Sequence, residues 1–182
     1  MTDETEQKIL DAALKLFSKK GYESATTIAI AEEAGFNEKT LFRKFKTKKN
    51  LYDMMAVQYI DKLKEDFACI FKDYICETPK DFLNTVVTDL AAFCDDNYEI
   101  IHLILEETSK PSEPFMIEWV GLLSKHLEDN LKNDAIDYPI FAMTILSFTY
   151  TLAGEKYHGR AVFNMDEAIE KFIDNLALGI CS

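Results

Sequence analysis

The chain has 182 residues, 48% of them hydrophobic, with only 6 Gly and 4 Pro, and its apolar residues recur in long blocks rather than in alternation. Such a chain can bury one ordinary core, or a small module joined to a larger one, and the pattern predicts an all-α protein of about nine helices. A formal net charge of −12 argues, on average, against a nucleic-acid partner.

The opening Met-Thr-Asp-Glu-Thr-Glu has no basic stretch leading into an apolar one, so no secretory signal is expected. The four cysteines (Cys69, Cys76, Cys94, Cys181) contain no CxxC pair and the three histidines lie far apart, so spacing offers no metal site. A reduced, cytoplasmic protein without metal or cofactor fits.

A first helix is expected from about Thr5 to Lys20, because Ile9, Leu10, Ala13, Leu14 and Phe17 recur on one face; Lys19-Lys20-Gly21 supplies its stop. Thr26 or Thr27 caps a short second helix carrying Ile30, Ala31 and Ala34, which ends at Gly35. Asn37 caps a third, Glu38 to about Phe45. Two short helices separated by a tight glycine turn make a helix-turn-helix. At 100° per residue, Leu41 and Phe45 fall on one side of the third helix, Lys39, Thr40, Phe42 and Arg43 on the other, and Lys44 on the flank.

A long helix is then expected from Lys48 through Leu51, Met55, Tyr59, Leu63, Phe67, Ile70, Phe71 and Tyr74, ending near Thr78-Pro79. Further helices are expected over Asp81 to Asp95, Tyr98 to Thr108, Glu113 to Leu131, Asp137 to Tyr157 and Met165 to Ile180. Tyr138 to Gly154 is a run of 17 residues without a charge. At 1.5 Å per residue it covers about 25 Å, short of a bilayer, and its Pro, Ser and Thr residues favour a buried helix. No membrane partner is expected.

The charge is unevenly spread. Residues 1–52 hold ten Lys+Arg and eight Asp+Glu, a balance of +2, which leaves −14 for the rest. From Lys39 to Lys49 six residues are basic (Lys39, Arg43, Lys44, Lys46, Lys48, Lys49) and none is acidic. Alone, such a run fits a solvated surface; on a helix-turn-helix it fits a phosphate backbone.

Ile9-Leu10-Asp11-Ala12-Ala13-Leu14, Leu16-Phe17, Gly21-Tyr22, Thr26-Thr27, Ile30-Ala31-Glu32-Glu33-Ala34-Gly35-Phe36, Thr40-Leu41-Phe42, Phe45 and Lys48 follow, in order and spacing, the pattern of the TetR family of regulators. The chain resembles that family from Ile9 to Leu51. It departs from it at Phe36, where Val is frequent, at Lys39, where a small residue is frequent, and at Phe42, where Tyr is frequent.

The resemblance implies a DNA-binding domain over 1–50 and an effector-binding and dimerisation domain over 51–182. It implies that Glu38, Lys39, Thr40, Phe42, Arg43 and Lys44 form the recognition surface and that Thr26, Thr27 and Lys48 touch phosphates. It implies a cavity walled by Phe93, Phe115, Trp119 and Tyr150, with Asp89, His102 or Glu106 as polar anchors. It also implies a homodimer through the last two helices, where Ala142, Ser147 and Gly154 allow close approach and Phe172, Leu176 and Leu178 extend the patch. The function that follows is a regulator, and by the family's commoner mode a repressor, released from a palindromic operator by a small hydrophobic or aromatic effector. Two alternatives stand beside it: a constitutive DNA-binding dimer without a ligand response, and a helical enzyme. For the enzyme, no P-loop, GxGxxG or HExxH is present, and Asp95-Asp96 and Glu106-Glu107 read as surface charges.

Overall fold

The computed structural model describes residues 3–71, 76–106, 113–160 and 164–180. Among these the chain is all-α, with nine helices and no strand: α1 (Glu4–Ser24), α2 (Thr27–Glu33), α3 (Glu38–Phe45), α4 (Lys48–Ala68), α5 (Pro79–Asp96), α6 (Tyr98–Glu106), α7 (Glu113–Leu131), α8 (Tyr138–Tyr157) and α9 (Met165–Ile180).

Most of the starts are built from side-chain caps. Asp3, Thr26, Asn37, Thr78 and Asp137 each accept the backbone N–H three residues on, satisfying a donor that the first turn leaves open. Gly21, at φ 76°, breaks the helical path of α1 where the sequence places the stop, and one further turn follows.

The fourth helix is shorter than its apolar spacing suggests. It ends at Ala68, after which Ile70 N–H bonds to Phe67 C=O at 3.1 Å and Phe71 N–H to Ala68 C=O at 3.3 Å, three-residue bonds that tighten the chain out of the α-helix. Thr78-Pro79 is not its end but the start of α5: Thr78 is the cap and Pro79, whose missing N–H costs nothing there, lies in the first turn. Tyr74, expected within the fourth helix, lies outside the described residues.

The chain forms two compact units, Met1–Glu65 with Glu99–Ser109, and Asp66–Tyr98 with Lys110–Ser182. In the first, α1 packs on α2 and α2 on α3. Ile9, Phe17, Ile30, Leu41, Phe45, Leu51 and Met55 are fully enclosed there, each contributing about 1.5–3 kcal/mol by leaving water. Phe17, Tyr22 and Tyr52 add a ring cluster with centroids 5.1–5.4 Å apart. A polar network joins α1 to α4: Gln58 Nε2 donates to Gln7 Oε1 at 2.7 Å, Gln7 Nε2 to Asp11 Oδ1 at 2.8 Å, and the Tyr59 hydroxyl to the same Asp11 oxygen. Burial and the Asp11 carboxylate push the Tyr59 phenol upward, so it remains a donor.

In the second unit α8 is the central helix, packed on α5 and α7, while α5 also holds α9. Ala142, Ile145, Leu146, Thr149, Leu152, Ala153 and Gly154 face inward. A Cβ at Gly154 would lie 3.1 Å from the Tyr98 hydroxyl oxygen and 3.2 Å from its Cε2, so only glycine admits Tyr98 this closely. Among the described residues, no helix is long and apolar enough to cross a membrane.

Candidate nucleic-acid interface

The turn between α2 and α3 places the third helix. Gly35 N–H bonds to Glu32 C=O at 3.0 Å and Phe36 N–H to Ala31 C=O at 2.8 Å, the paired bonds of a Schellman stop, with Gly35 at φ 79°, where a side chain would be strained. Asn37 then caps α3 at once, its Oδ1 accepting Thr40 N–H at 2.9 Å and the Thr40 hydroxyl at 3.1 Å. Leu41 and Phe45 are buried, as the helical count requires, and pin the opposite face outward.

On that outward face Lys39 and Arg43 are exposed and one turn apart, and neither makes an ion pair among the described residues. Phe42, beside them, is 39% exposed. Asn37, Lys39, Thr40, Phe42 and Arg43 line one shallow concavity. Three further basic residues of the run are tethered. Lys44 pairs with Asp3, whose second oxygen caps α1. Lys46 Nζ donates to Arg43 C=O at 3.1 Å. Lys48 Nζ donates to Glu23 C=O at 3.2 Å and sits 4.5 Å from the centre of the Tyr22 ring.

The two threonines before and within α2 differ in what their hydroxyls do. Thr26 Oγ1 accepts Ala29 N–H at 3.2 Å, which leaves its proton available to an external acceptor. Thr27 Oγ1 donates to Glu38 Oε1 at 2.6 Å, so its proton is committed within the chain. Nothing local in the sequence signals the Thr27–Glu38 or Asp3–Lys44 contacts, which span 11 and 41 residues.

The residues expected around an effector are scattered. Phe93 and Trp119 are buried together, ring centroids 5.3 Å apart, and Phe67 lies flat on Trp119 at 4.2 Å. Tyr150 belongs to another group, stacked 5.5 Å from Tyr98. Asp89 is exposed on α5, and His102 is half-buried in the first unit. The side chains of Glu106 and Phe115 lie outside the described residues. One ring the sequence reading passed over is His126, 5.1 Å from Phe71 and 5.3 Å from Phe82; its place two turns after Trp119 was the available signal.

Of the residues expected at a dimer contact, Ala142 is fully enclosed by its own chain and Gly154 lies against Tyr98. Ser147 faces outward, and Phe172 and Leu176 are half-buried, with Phe172 stacked on Phe148 at 3.8 Å. Among the described residues no group of three His, Cys, Asp or Glu could hold a metal ion.

Residues 9–55 match the family described as bacterial regulatory proteins, tetR family. The HTH-type transcriptional regulator YvkB of Bacillus subtilis (strain 168) is 47% identical over 55 residues, 30% of this chain and only 29% of YvkB, so that likeness is confined to the headpiece. A TetR-like transcriptional regulator from Rhodococcus sp. RHA1 superposes with a TM-score of 0.74 at 17% identity, covering 98% of this chain and 96% of that one. The transcriptional regulator FadR from Bacillus subtilis, solved in complex with stearoyl-CoA, superposes with a TM-score of 0.62 at 16% identity over 92% and 95% of the two chains. With the helix-turn-helix in place and a family match across it, residues 9–55 are similar to the bacterial regulatory proteins of the tetR family, and the chain has the fold of TetR-like structures along nearly its whole length.

Proposed function

We propose that the protein is a DNA-binding transcriptional regulator, with a DNA-binding domain over 1–50 and an effector-binding and dimerisation domain over 51–182. The observation that carries this reading is the outer face of α3, where Lys39 and Arg43 are exposed and make no ion pair among the described residues, beside an exposed Phe42. A major groove admits a helix of this width. An arginine there bonds bidentately to guanine O6 and N7, and a phenyl ring packs on a thymine methyl. Thr26, with its spare hydroxyl proton at the start of α2, suits a phosphate oxygen.

A homodimer is needed to set two recognition helices into successive grooves of a palindrome, about 34–36 Å apart. The outward stripe of α8 supports one: Ile140 and Met143 are 64% and 55% exposed, Ser147 continues the line, and Thr144 and Thr151 turn their hydroxyls back onto Ile140 C=O and Ser147 C=O, offering methyl groups outward. Leu178 on α9 adds a further exposed apolar group.

The protein acts as a repressor that a small hydrophobic or aromatic effector releases from its operator, by favouring a state in which the headpieces no longer match the half-sites. The Phe67, Phe93 and Trp119 cluster supports an apolar effector. The fold likeness to a regulator solved with stearoyl-CoA adds acyl-CoA thioesters to the compounds worth testing.

Selection from a random duplex library tests the reading. A palindromic sequence is expected, and Arg43→Ala should cost about 1–3 kcal/mol on the selected duplex and relax base preference, with less effect on random DNA. Recovery of no preferred sequence, or equal loss on both duplexes, would refute it. Thermal-shift screening with aromatic compounds and acyl-CoAs tests the sensor half. A melting temperature that no compound moves leaves the constitutive dimer standing.

A further inference from the structure

We propose that Glu38 reads a base and that Thr27 aims it: the Glu38 carboxylate accepts a hydrogen bond from the exocyclic N4 amine of a cytosine in the major groove. This rests on the DNA-binding reading above. Thr27 and Glu38 are the first residues of α2 and α3, and their 2.6 Å hydrogen bond, part-buried, ties the opening turns of the two helices together. The bond engages Oε1 and restrains the carboxylate; Oε2 has no partner among the described residues. Glu38 makes no ion pair there either, although Lys39 is its neighbour in sequence.

A carboxylate in the first turn of a groove-entering helix stands among phosphates that repel it. It is compatible with tight binding only if it meets a donor. Base edges in the major groove offer two amines, cytosine N4 and adenine N6. Adenine sets its N7 lone pair beside the amine, against the carboxylate; guanine and thymine present acceptors. Cytosine alone offers an amine without a competing acceptor. Because the Thr27 proton is already given to Glu38, Thr27 is a positioning residue here, and the phosphate contact at this helix start falls to Thr26.

The experiment uses the full-length protein and the duplex recovered by selection, with each half-site position replaced in turn by all four base pairs. Wild type should prefer cytosine at one position per half-site by about five- to a hundredfold, the range of one good base contact. Glu38→Gln should move that preference toward adenine, because an amide matches adenine N6 and N7 together. Thr27→Val should weaken the cytosine preference several-fold and leave the slope of log K against log salt unchanged, while Thr27→Ser, which keeps the donor, restores it. Circular dichroism melts confirm that each variant is folded.

Uniformly raised affinity with unchanged preferences in Glu38→Gln overturns the proposal, since the carboxylate is then a spectator. A flattened salt slope in Thr27→Val also overturns it, since Thr27 is then a phosphate ligand. A wild-type protein that recovers no preferred duplex refutes DNA recognition itself, whereas a recovered sequence indifferent to Glu38 refutes this assignment alone.

Discussion

Asp3→Asn should make duplex binding more dependent on salt. Asp3 uses one oxygen to accept Glu6 N–H at 2.8 Å at the start of α1 and the other to hold Lys44 of α3. The hydrogen bond from Lys44, then that from Glu6 N–H, holds the Asp3 carboxyl below its ordinary range. A depressed carboxylate keeps its negative charge from neutral pH down through the ordinary carboxylate range and loses it only as the solution becomes strongly acid, so at neutral pH the Asp3 charge offsets that of Lys44. Asparagine caps a helix as well as aspartate does, so the substitution removes the charge and keeps the helix start. A freed Lys44 that reaches a phosphate steepens the slope of log K against log salt by about 0.9. From about 50 to 200 mM salt that is roughly 3.5-fold more affinity lost per headpiece, and about 12-fold for a dimer. Fluorescence anisotropy of a labelled duplex over that salt range reads it. Lys44→Ala should flatten the slope in the Asp3→Asn background and leave it nearly unchanged in wild type. A full unit of flattening in wild type would mean that Lys44 already binds phosphate and that the Asp3 pair does not hold it back.

Lys48→Ala should lower both thermal stability and duplex affinity, because Lys48 anchors the α1–α2 connection through Glu23 C=O and the Tyr22 ring; about 1 kcal/mol is expected in a thermal melt, and an unchanged melting temperature would make Lys48 a phosphate contact only. Gly154→Ala should cost about 1–3 kcal/mol by pressing a methyl onto Tyr98, and the penalty should shrink in a Tyr98→Leu background; equal costs in urea unfolding of both backgrounds contradict the contact. Burial pushes the Cys94 thiol up to about 11, so brief alkylation of the native protein at mildly alkaline pH should label exposed Cys69 and spare Cys94. Peptide mass mapping decides, and comparable labelling of the two would show that Cys94 is accessible.

The headpiece was legible because its signals are local. Thr26 and Asn37 cap within three residues, Gly35 closes a turn within five, and the apolar pair Leu41 and Phe45 fixes which way α3 faces. The end of α4 was not, because Phe67, Ile70 and Phe71 keep a helical period through the turn that ends the helix, and because a proline opens helices as readily as it stops them. Contacts that regulate the charge of α3, or join α1 to α4, link residues 41 to 51 apart and exist only once the chain has folded. Small residues on α8 announced a close approach without saying to what; Gly154 approaches Tyr98 of its own chain. Asp89 could have been placed better from sequence alone, since Val86, Leu90 and Phe93 define the buried side of α5 and leave it on the margin.

Trp119 is the single tryptophan of the chain, and it lies flat against Phe67 at the last turn of α4, with an interplanar angle of 4°. The protein therefore has its own optical probe, placed where the long helix that follows the headpiece ends. Its emission reads the environment of one known ring pair without a dye, and stopped-flow fluorescence can time any slide of Phe67 across the indole as a compound is added.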